Sequence, residues 1–511
     1  MPHLERHGSA TQLVVDGHPF LIVGGELRNS SSSSREHMKG LWPRLAGIPI
    51  NTVLTPVSWD MIEPEEGRFD FTLLDGLVAD ARQQNLHLVL LWLASWKNGM
   101  SSYAPVWVKQ DFQRFARVPD SNGGGRELLS PLCEASRNAD ARGFAALLRH
   151  VREIDGTAHT ILMVQVENEV GILGDSRERS ATADLAFAGP VPGALVDFIR
   201  GHRAALVPEM REILDAAGSR DAGTWEQVFG RGPVTDEIFM AWNYARYVGF
   251  VAAAGKAEYP LPMYANAWIT QPYFPTPGTY PSGGPQARLL DVWHAGAPSI
   301  DILAPDLYGP NFTEWCAKYP RSGNPFFIPE TEPGAPGAAH IFYAVGQCDA
   351  LGFSPFGIDM PPERMGPEFG RSTAVLLQLA PLLLGHQGLG DMTGFILDKD
   401  HPSSAAAIGG YRLEISLDSI FGHTAEKGYG LVVATGPDQF VGAGTGFMVR
   451  FVPVTPGPPL AGLGRVEDGT FLDGKWVPGL RLNGDETDQG LHWRFSHFET
   501  AIQRCSLYRF R

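Results

Sequence analysis

The chain has 511 residues, which exceeds one ordinary hydrophobic core and suits a large barrel with an accessory domain. Hydrophobic residues make up 44% of it and charged residues 19%, a globular composition that excludes a disordered protein. The formal net charge of −15 argues against nucleic acid or an anionic membrane surface as a partner, because both require basic patches.

The cysteines and the first residues narrow the class further. Cys133, Cys316, Cys348 and Cys505 lie far apart, so neither a zinc site nor a disulfide framework is predicted. Residues 1–7 lack the basic and apolar regions of a signal peptide, and no apolar run approaches the roughly 18 residues of a membrane span. We expect a cytoplasmic protein, or a periplasmic or secreted one if an export signal precedes this sequence. A homo-oligomer is compatible with the sequence.

Apolar strand patterns alternate with helical patterns along residues 11–387. A hairpin is predicted first, with strands Gln12–Val15 and Phe20–Val23 around an Asp16-Gly17 turn. Helical patterns cover residues 35–46, 72–84, 139–153, 190–217, 236–255, 336–350 and 364–383. A long loop region is predicted over 93–138, and loops of that length in a compact domain usually serve function.

The predicted barrel strands are residues 20–23, 50–56, 86–92, 160–166, 261–265, 300–304, 325–329 and 352–356. Eight alternating units predict an α/β fold, a closed (β/α)8 TIM barrel over residues 1–387. Polar residues follow six of the strands, which indicates a ring around a mouth and not the single crevice of an open doubly wound sheet.

From residue 388 the helical periods disappear and turn signals separate short strand patterns. These patterns cover residues 411–417, 428–435, 446–453, 470–476, 491–495 and 506–510. The sequence therefore predicts a C-terminal all-β, sandwich-like domain over 388–511.

Two acidic strand ends carry the chemistry, Glu169 after the fourth strand and Glu330 after the seventh. Glu167 is also expected where the fourth strand meets solvent. In a closed barrel the carboxyl ends of all strands meet at one mouth. Paired carboxylates there are the apparatus of glycoside hydrolysis, in which one protonates the leaving oxygen and the other attacks the anomeric carbon. Glu332 is the alternative to Glu330, although the flanking prolines make a strand through residue 332 less favourable.

A family resemblance supports this assignment. Residues 165–171 read Gln-Val-Glu-Asn-Glu-Val-Gly, residues 326–330 read Phe-Phe-Ile-Pro-Glu, and residues 45–71 carry a matching second strand and loop. These runs resemble glycoside hydrolase family 35, the β-galactosidases, in a bacterial branch with its own C-terminal β-domain. The resemblance implies a retaining exo-β-glycosidase that acts on terminal β-galactosides without a cofactor or metal. It implies Glu169 as acid/base, Glu330 as nucleophile and Asn168 as the hydrogen-bond partner of the sugar 2-hydroxyl.

Departures from the family's pattern leave open which sugar the site accepts. The family has Tyr at the position of Pro56, and Ala-Glu-Trp where residues 94–98 read Ala-Ser-Trp-Lys-Asn. Its usual sugar-binding acid is therefore missing, and another acid at the mouth has to supply the acceptor. The same chemistry on a β-glucoside or β-xyloside and an inactive carbohydrate-binding barrel remain as alternatives. The candidate carbohydrate-binding residues besides Asn168 are Glu26, Asn29, Trp59, Trp96, Trp268, Asp306 and Tyr308. For each tryptophan, packing in the barrel core is the competing interpretation.

Overall fold

The computed structural model describes residues 1–120, 122–420 and 422–511. Eight parallel strands close into a barrel, in the order β4, β5, β6, β9, β10, β11, β12, β13, so the predicted barrel is confirmed. The strands of this part of the chain are β1 His3–His7, β2 Ala10–Val15, β3 His18–Phe20, β4 Ile22–Glu26, β5 Thr52–Ser58, β6 His87–Lys97, β7 Arg117–Pro119, β8 Gly125–Leu129, β9 Ile161–Asn168, β10 Met263–Trp268, β11 Ile302–Leu307, β12 Ile328–Thr331 and β13 Gly352–Pro355.

Helices connect these strands as in other α/β barrels. They are α1 Arg35–Ala46, α2 Trp59–Ile62, α3 Thr72–Gln83, α4 Val106–Gln110, α5 Glu134–Asp155, α6 Ala181–Ala188, α7 Gly193–Gly201, α8 Pro208–Ala216, α9 Trp225–Phe229, α10 Pro233–Glu258, α11 Leu290–Gly296, α12 Phe312–Lys318, α13 Gly334–Cys348 and α14 Pro362–His386. Proline and glycine set two features of these helices. Helix α10 begins at Pro233, and helix α14 is kinked at Gly366, where φ is 66°. Among the helices described, none is long and apolar enough to cross a membrane.

A three-stranded antiparallel sheet, β1-β2-β3, closes the amino-terminal end of the barrel. Leu13 and Val15 of β2 join the cluster of apolar side chains that fills the barrel interior. The Asp16 carboxylate in the β2–β3 turn contacts His159, which lies just before β9. The turn was predicted correctly, but the predicted second strand spans two elements. The chain leaves the hairpin after Phe20 and enters the barrel at Ile22, whose N–H donates to Leu351 O at 3.0 Å.

The region predicted as a long loop after the third barrel strand is largely structured. β6 continues to Lys97, β7 and β8 form an antiparallel ribbon, and α5 begins at Glu134. The pairing of β6 with β9 slips within this extension: Trp92 lies opposite Val166, whereas Lys97 lies opposite Asn168. A bulge of this kind re-aims the strand end and brings Lys97 level with the candidate catalytic residues.

Ten of the C-terminal strands form two packed antiparallel sheets and two more form a short ribbon, in agreement with the predicted all-β region. The strands are β14 Met392–Leu397, β15 Ser403–Ile408, β16 Tyr411–Leu417, β17 Ser419–Ile420, β18 His423–Thr424, β19 Gly428–Gly436, β20 Gln439–Thr445, β21 Phe447–Pro453, β22 Leu460–Leu472, β23 Lys475–Leu482, β24 Trp493–Phe495 and β25 Ala501–Phe510. The sheet orders are β14-β19-β20-β25-β22-β23 and β15-β16-β21-β24. One predicted strand, 470–476, is wrong because Asp473 and Gly474 have positive φ and turn the chain from β22 into β23.

The six-stranded sheet has two buried faces. One face packs on the four-stranded sheet through a core that includes Phe395, Phe447 and Trp493. The other face contributes Leu431 and Val441 to the main core of the barrel and its helices. The C-terminal sandwich is therefore continuous with the barrel's outer layer.

Candidate active site

Carboxylates from four barrel strands meet at the mouth. Glu26 ends β4, Glu169 follows β9, Asp306 lies in β11 and Glu330 lies opposite it in β12. One carboxylate oxygen from each of Glu169, Asp306 and Glu330 lies within 4.8 Å of the other two. All four residues are buried, and Glu330, at 7% exposed, is the most accessible of them. The predicted strand-end acids are thus brought into one cluster.

Glu169 is held by amides from two neighbouring strands. The Asn98 side chain donates to Glu169 Oε2, and the Glu169 N–H donates to Asn266 Oδ1 at 3.0 Å. Burial, and then the charge of Glu330, raise the pKa of Glu169 to about 7, although Lys97 opposes the shift. A carboxyl group with this pKa is about half protonated at neutral pH, so it can both release and take up a proton there.

Glu330 has a different environment. The Tyr308 hydroxyl donates to Glu330 Oε1 at 2.6 Å, and this bond fixes the position of the carboxylate. Burial and the nearby Glu330 carboxylate raise the pKa of Tyr308 far above its ordinary value, so Tyr308 keeps its proton. Glu332 is half-buried and lies in the two-residue link after β12, outside the strand.

The backbone around Asn168 adopts a rare conformation. Glu167 has a φ of 64° and Glu169 has a φ of 43°, both in the left-handed region. Non-glycine residues in this region cost of the order of 1–3 kcal/mol each and cluster at functional sites. The carboxylate of Glu167 points away from solvent, where it accepts the N–H of Ser95 at 3.2 Å and of Trp96 at 2.7 Å. The expectation that Glu167 meets solvent is therefore wrong. The Glu167 carboxylate instead holds the backbone near the end of β6.

Lys97 supplies a positive charge to the acid cluster, and the sequence analysis did not select it. Burial lowers its pKa, but Glu330, Glu169, Glu26 and Asp306 together raise the pKa above the ordinary lysine value. The pKa values of Glu26 and Asp306 are raised well above the usual range by burial and then by Glu330. Oxygens at this spacing also suit a divalent cation, but the charged amine of Lys97 opposes one.

Several buried polar atoms at the mouth have no hydrogen-bond partner among the described residues. They are Glu26 Oε1, Asn168 Oδ1, Asn168 Nδ2, Tyr264 Oη, Asp306 Oδ1 and Glu330 Oε2. Most buried polar groups are paired, so a cluster of unpaired ones at a strand-end mouth indicates a polar ligand. Their mixture of donors and acceptors suits a polyhydroxylated molecule.

The predicted aromatic contacts divide into two groups. Trp59 and Trp96 are completely buried, and their indole N–H groups donate to Glu63 and to the Leu129 carbonyl. Neither ring offers a face to a sugar in this structure, because both pack against other aromatic rings. Trp268 is half-buried at the end of β10, level with Asp306. Asn29 lies in a neighbouring cavity and not among the carboxylates.

Asn266 and Asn98 are the other residues that sequence reasoning missed. Asn266 Nδ2 donates to Asp306 Oδ2 at 2.7 Å while its Oδ1 accepts from Glu169, so it joins two of the acids. Asn266 directly follows predicted strand 261–265, and the strand-end criterion used for Glu26 would have selected it. No comparable signal marked Asn98, because the strand before it was expected to end at Trp92.

Two family models match parts of the chain. Residues 35–189 match the glycoside hydrolase family 42 model, described as beta-galactosidase, and this segment includes Glu169 but not Glu330. Residues 369–494 match a domain of unknown function, DUF5597, which begins inside α14 and runs through most of the β-region.

Curated relatives match short stretches. The chain is 29% identical to a β-galactosidase of Xanthomonas manihotis over 174 residues, which are 32% of this chain and 26% of the relative. It is also 29% identical to human β-galactosidase-1-like protein 3 over 164 residues, 31% of this chain and 23% of that relative. The chain thus spans about a quarter of the length of these relatives. The matches relate part of the barrel to β-galactosidases and do not single out family 35.

Solved β-galactosidase structures also resemble the chain. The enzyme of Bacillus circulans sp. alkalophilus gives a TM-score of 0.48 at 14% identity, over 71% of this chain and 57% of that one. The enzyme of Rahnella sp. R3 gives 0.46 at 16% identity, over 72% and 57%.

Proposed function

We propose that the protein is a retaining exo-β-glycosidase that hydrolyses terminal β-galactosides, with Glu169 as acid/base and Glu330 as nucleophile. One observation carries the proposal: the nearest carboxylate oxygens of these two residues lie within 4.8 Å of each other. Retaining glycosidases hold their two carboxyl groups about 5 to 5.5 Å apart, whereas inverting ones leave about 6.5 to 9.5 Å for a water molecule.

The two environments divide the roles. Glu169 holds a proton near neutral pH, which a general acid needs in order to protonate the leaving oxygen. Glu330, with the Tyr308 hydroxyl on Oε1, presents Oε2 to the anomeric carbon and forms the covalent glycosyl-enzyme. Glu169, now deprotonated, then takes a proton from the incoming water, and the hydroxide releases the sugar from Glu330. These two displacement steps need no redox or metal cofactor.

The remaining polar atoms fit recognition of the sugar hydroxyls. Asn168 directly precedes Glu169, and neither of its side-chain amide atoms has a hydrogen-bond partner among the described residues, as expected of a partner for the 2-hydroxyl. Glu26 and Asp306 carry raised pKa values, so each can donate as well as accept a hydrogen bond. They are our candidates for the acceptor that the missing family glutamate would have supplied.

Galactose is proposed because the matching family model and relatives are β-galactosidases. Another β-glycoside is the alternative, since Lys97 occupies the segment where a sugar-binding acid was expected. A panel of aryl β-glycosides tests both possibilities. Fastest turnover of the galactoside supports the proposal. Faster turnover of another glycoside would assign the specificity to that sugar. Absence of turnover on all of them would contradict the proposed glycosidase activity. NMR of the first-formed anomer should show the β product.

The nucleophile is identified by trapping. A 2-deoxy-2-fluoro glycoside of the preferred sugar should label Glu330, because this carboxylate lies on β12 beside Glu169. Glu330→Ala should remove nearly all turnover, of the order of several kcal/mol of activation free energy. Glu332→Ala is the matched control and should retain measurable turnover. Label found on Glu332 by peptide mapping would contradict the assignment and leave the two-carboxylate mechanism in place.

A further inference from the structure

A cavity on the rim of the barrel mouth is lined in part by Tyr103, which is also close to Lys97. Its volume is about 520 Å³, within the range of small-molecule sites. Its walls come from the segment after β4, the end of β5 with α2, and the first turns of α3. Connecting helices run antiparallel to the barrel strands, so the start of α3 lies at the same end as the strands' carboxyl ends. The cavity therefore opens on the mouth face.

The cavity has one apolar and one polar side. Met61, Leu73, Leu74 and Leu77 supply aliphatic surface. Asp60 lies on the polar side, and its Oδ1 is a buried oxygen without a partner among the described residues. A ligand that suits both sides has an aliphatic body and a hydroxyl group.

Tyr103 lies next to both the cavity and Lys97, whose charge acts on its hydroxyl. Its ring lines the cavity, and its backbone carbonyl accepts the Asp60 N–H at 3.2 Å. It follows β6 by six residues, and the turn between them is closed by the Lys97 N–H bond to Met100 O at 2.8 Å. Tyr103 is thus the residue that the cavity shares with the surroundings of Lys97.

We propose that this rim cavity is the aglycone site and that it selects β-glycosides of apolar, aliphatic alcohols. The inference rests on the proposed function. A second sugar ring is a poorer fit, because Tyr103 is the single aromatic ring among the described residues that line the cavity, and sugar faces pack on aromatic rings. The aliphatic wall offers burial to methylene groups instead.

The test compares hexyl and ethyl β-glycosides of the sugar that the enzyme prefers. The two alcohols have similar leaving ability, so the ratio of their kcat/KM values reports aglycone binding. Each buried methylene contributes roughly a fourfold gain, and we expect a ratio of at least about tenfold for partial burial of four. Leu77→Trp, which fills the cavity from α3, should bring the ratio close to one.

Leu214→Trp is the matched control. Leu214 is 1% exposed, against 2% for Leu77, and lines a different cavity formed by the α7–α9 region. This variant should keep the wild-type ratio. Should Leu77→Trp fail to fold, inhibition of the wild-type enzyme by free 1-hexanol, but not by ethanol at the same concentration, supports the inference.

The outcomes separate the two proposals. Turnover of both glycosides with a wild-type ratio near one, or no inhibition by hexanol, overturns the aglycone site and leaves the glycosidase intact. An equal loss of preference in Leu214→Trp also overturns it. Absence of turnover on every glycoside overturns the proposed function and, with it, this inference.

Discussion

The carboxyl group of Glu169 titrates within the ordinary working range of pH. Its pKa of about 7 results from burial and the Glu330 charge, and the protonated form is the general acid. Because the proton is lost as pH rises, kcat/KM for a poor leaving group should fall about tenfold per pH unit above this value. A pH–rate profile measures it.

Glu169→Gln provides the control for that assignment. With an activated aryl glycoside the variant should still form the glycosyl-enzyme, lose the alkaline limb, and accumulate the intermediate because the general base is gone. Added azide should restore turnover. An unchanged alkaline limb in this variant would show that another group is the acid.

Lys97 also influences the pKa of Glu169. Its charge lowers the pKa of Glu169, so Lys97→Met should raise that pKa and move the alkaline limb upward by about half a unit or more. Lys318→Met, which removes a half-buried helix lysine paired with Glu314, should leave the limb in place. A downward movement of the limb in Lys97→Met would contradict the charge arrangement described for the mouth.

Lys97 also shows where sequence reasoning ends at this scale. Glu26, Glu169, Asp306 and Glu330 were predictable because each lies within three residues of the end of an apolar strand pattern, and parallel strand ends converge. Lys97 reaches the same place through a bulge that puts five residues of β6 opposite two of β9. Nothing in the hydrophobic pattern marks a register slip, so its position required the folded strands. The burial of Trp59 and Trp96 was not predictable for a related reason, since a strand-end position does not reveal which way a large ring packs.

At the scale of elements, the contact between α13 and the six-stranded sheet is unusually close. A Cβ on Gly394 of β14 would lie 2.4 Å from the Phe342 carbonyl oxygen of α13. Gly394→Ala should therefore force the helix and sheet apart and destabilise the fold by about 1–3 kcal/mol. Scanning calorimetry at a fixed scan rate should show a lower unfolding temperature.

Gly436→Ala in the same sheet is the matched control. A Cβ there meets nothing nearer than 3.9 Å, and the φ of Gly436 is not positive. Its unfolding temperature should stay near that of the wild type. Equal effects of the two substitutions would mean that the helix–sheet contact is not the reason for the loss.

Element boundaries were predicted well where a turn or an apolar run set them. Tyr411–Leu417 was predicted without error because its buried and exposed positions alternate over its length. The long region after β6 was predicted as a loop because its ribbon and short helix have too few residues for a periodic pattern. The second strand of the N-terminal hairpin and the first barrel strand were predicted as one strand. The residues from Phe20 to Val23 are all apolar, so the pattern does not show that the chain passes from one sheet to the other after Phe20.

At the scale of the whole molecule, the barrel and the C-terminal sandwich share one core. Residues of β19, β20 and β25 belong to the same apolar cluster as the barrel helices; they are Tyr429, Leu431, Val433, Val441, Ala443 and Ile502. A truncation at residue 388 exposes the faces of α13 and α14 that they cover. We expect the 1–387 fragment to be insoluble, as measured by its fraction in the cleared lysate and by size-exclusion chromatography.

Co-expression of residues 388–511 with this fragment should restore part of the solubility, because the missing face is supplied in trans. A soluble, monodisperse and active fragment on its own would instead identify the sandwich as an independent module. The sequence predicted two domains because helical patterns give way to strand patterns near residue 388. It could not show that the domains share a core, since apolar strand residues look alike whichever layer covers them.

The position of β25 has a consequence for synthesis. This strand, residues 501–510, lies inside the six-stranded sheet between β20 and β22, and it is the last of the six strands of that sheet to emerge from the ribosome. The outer layer of the barrel therefore cannot close while these residues are still in the exit tunnel, so folding of α13 and α14 is completed after translation of the segment. Nascent chains stalled before residue 500 should be cut by protease within α14, and chains in which residues 501–510 have left the exit tunnel should resist. Equal resistance of the two would mean that the barrel closes before its cover arrives.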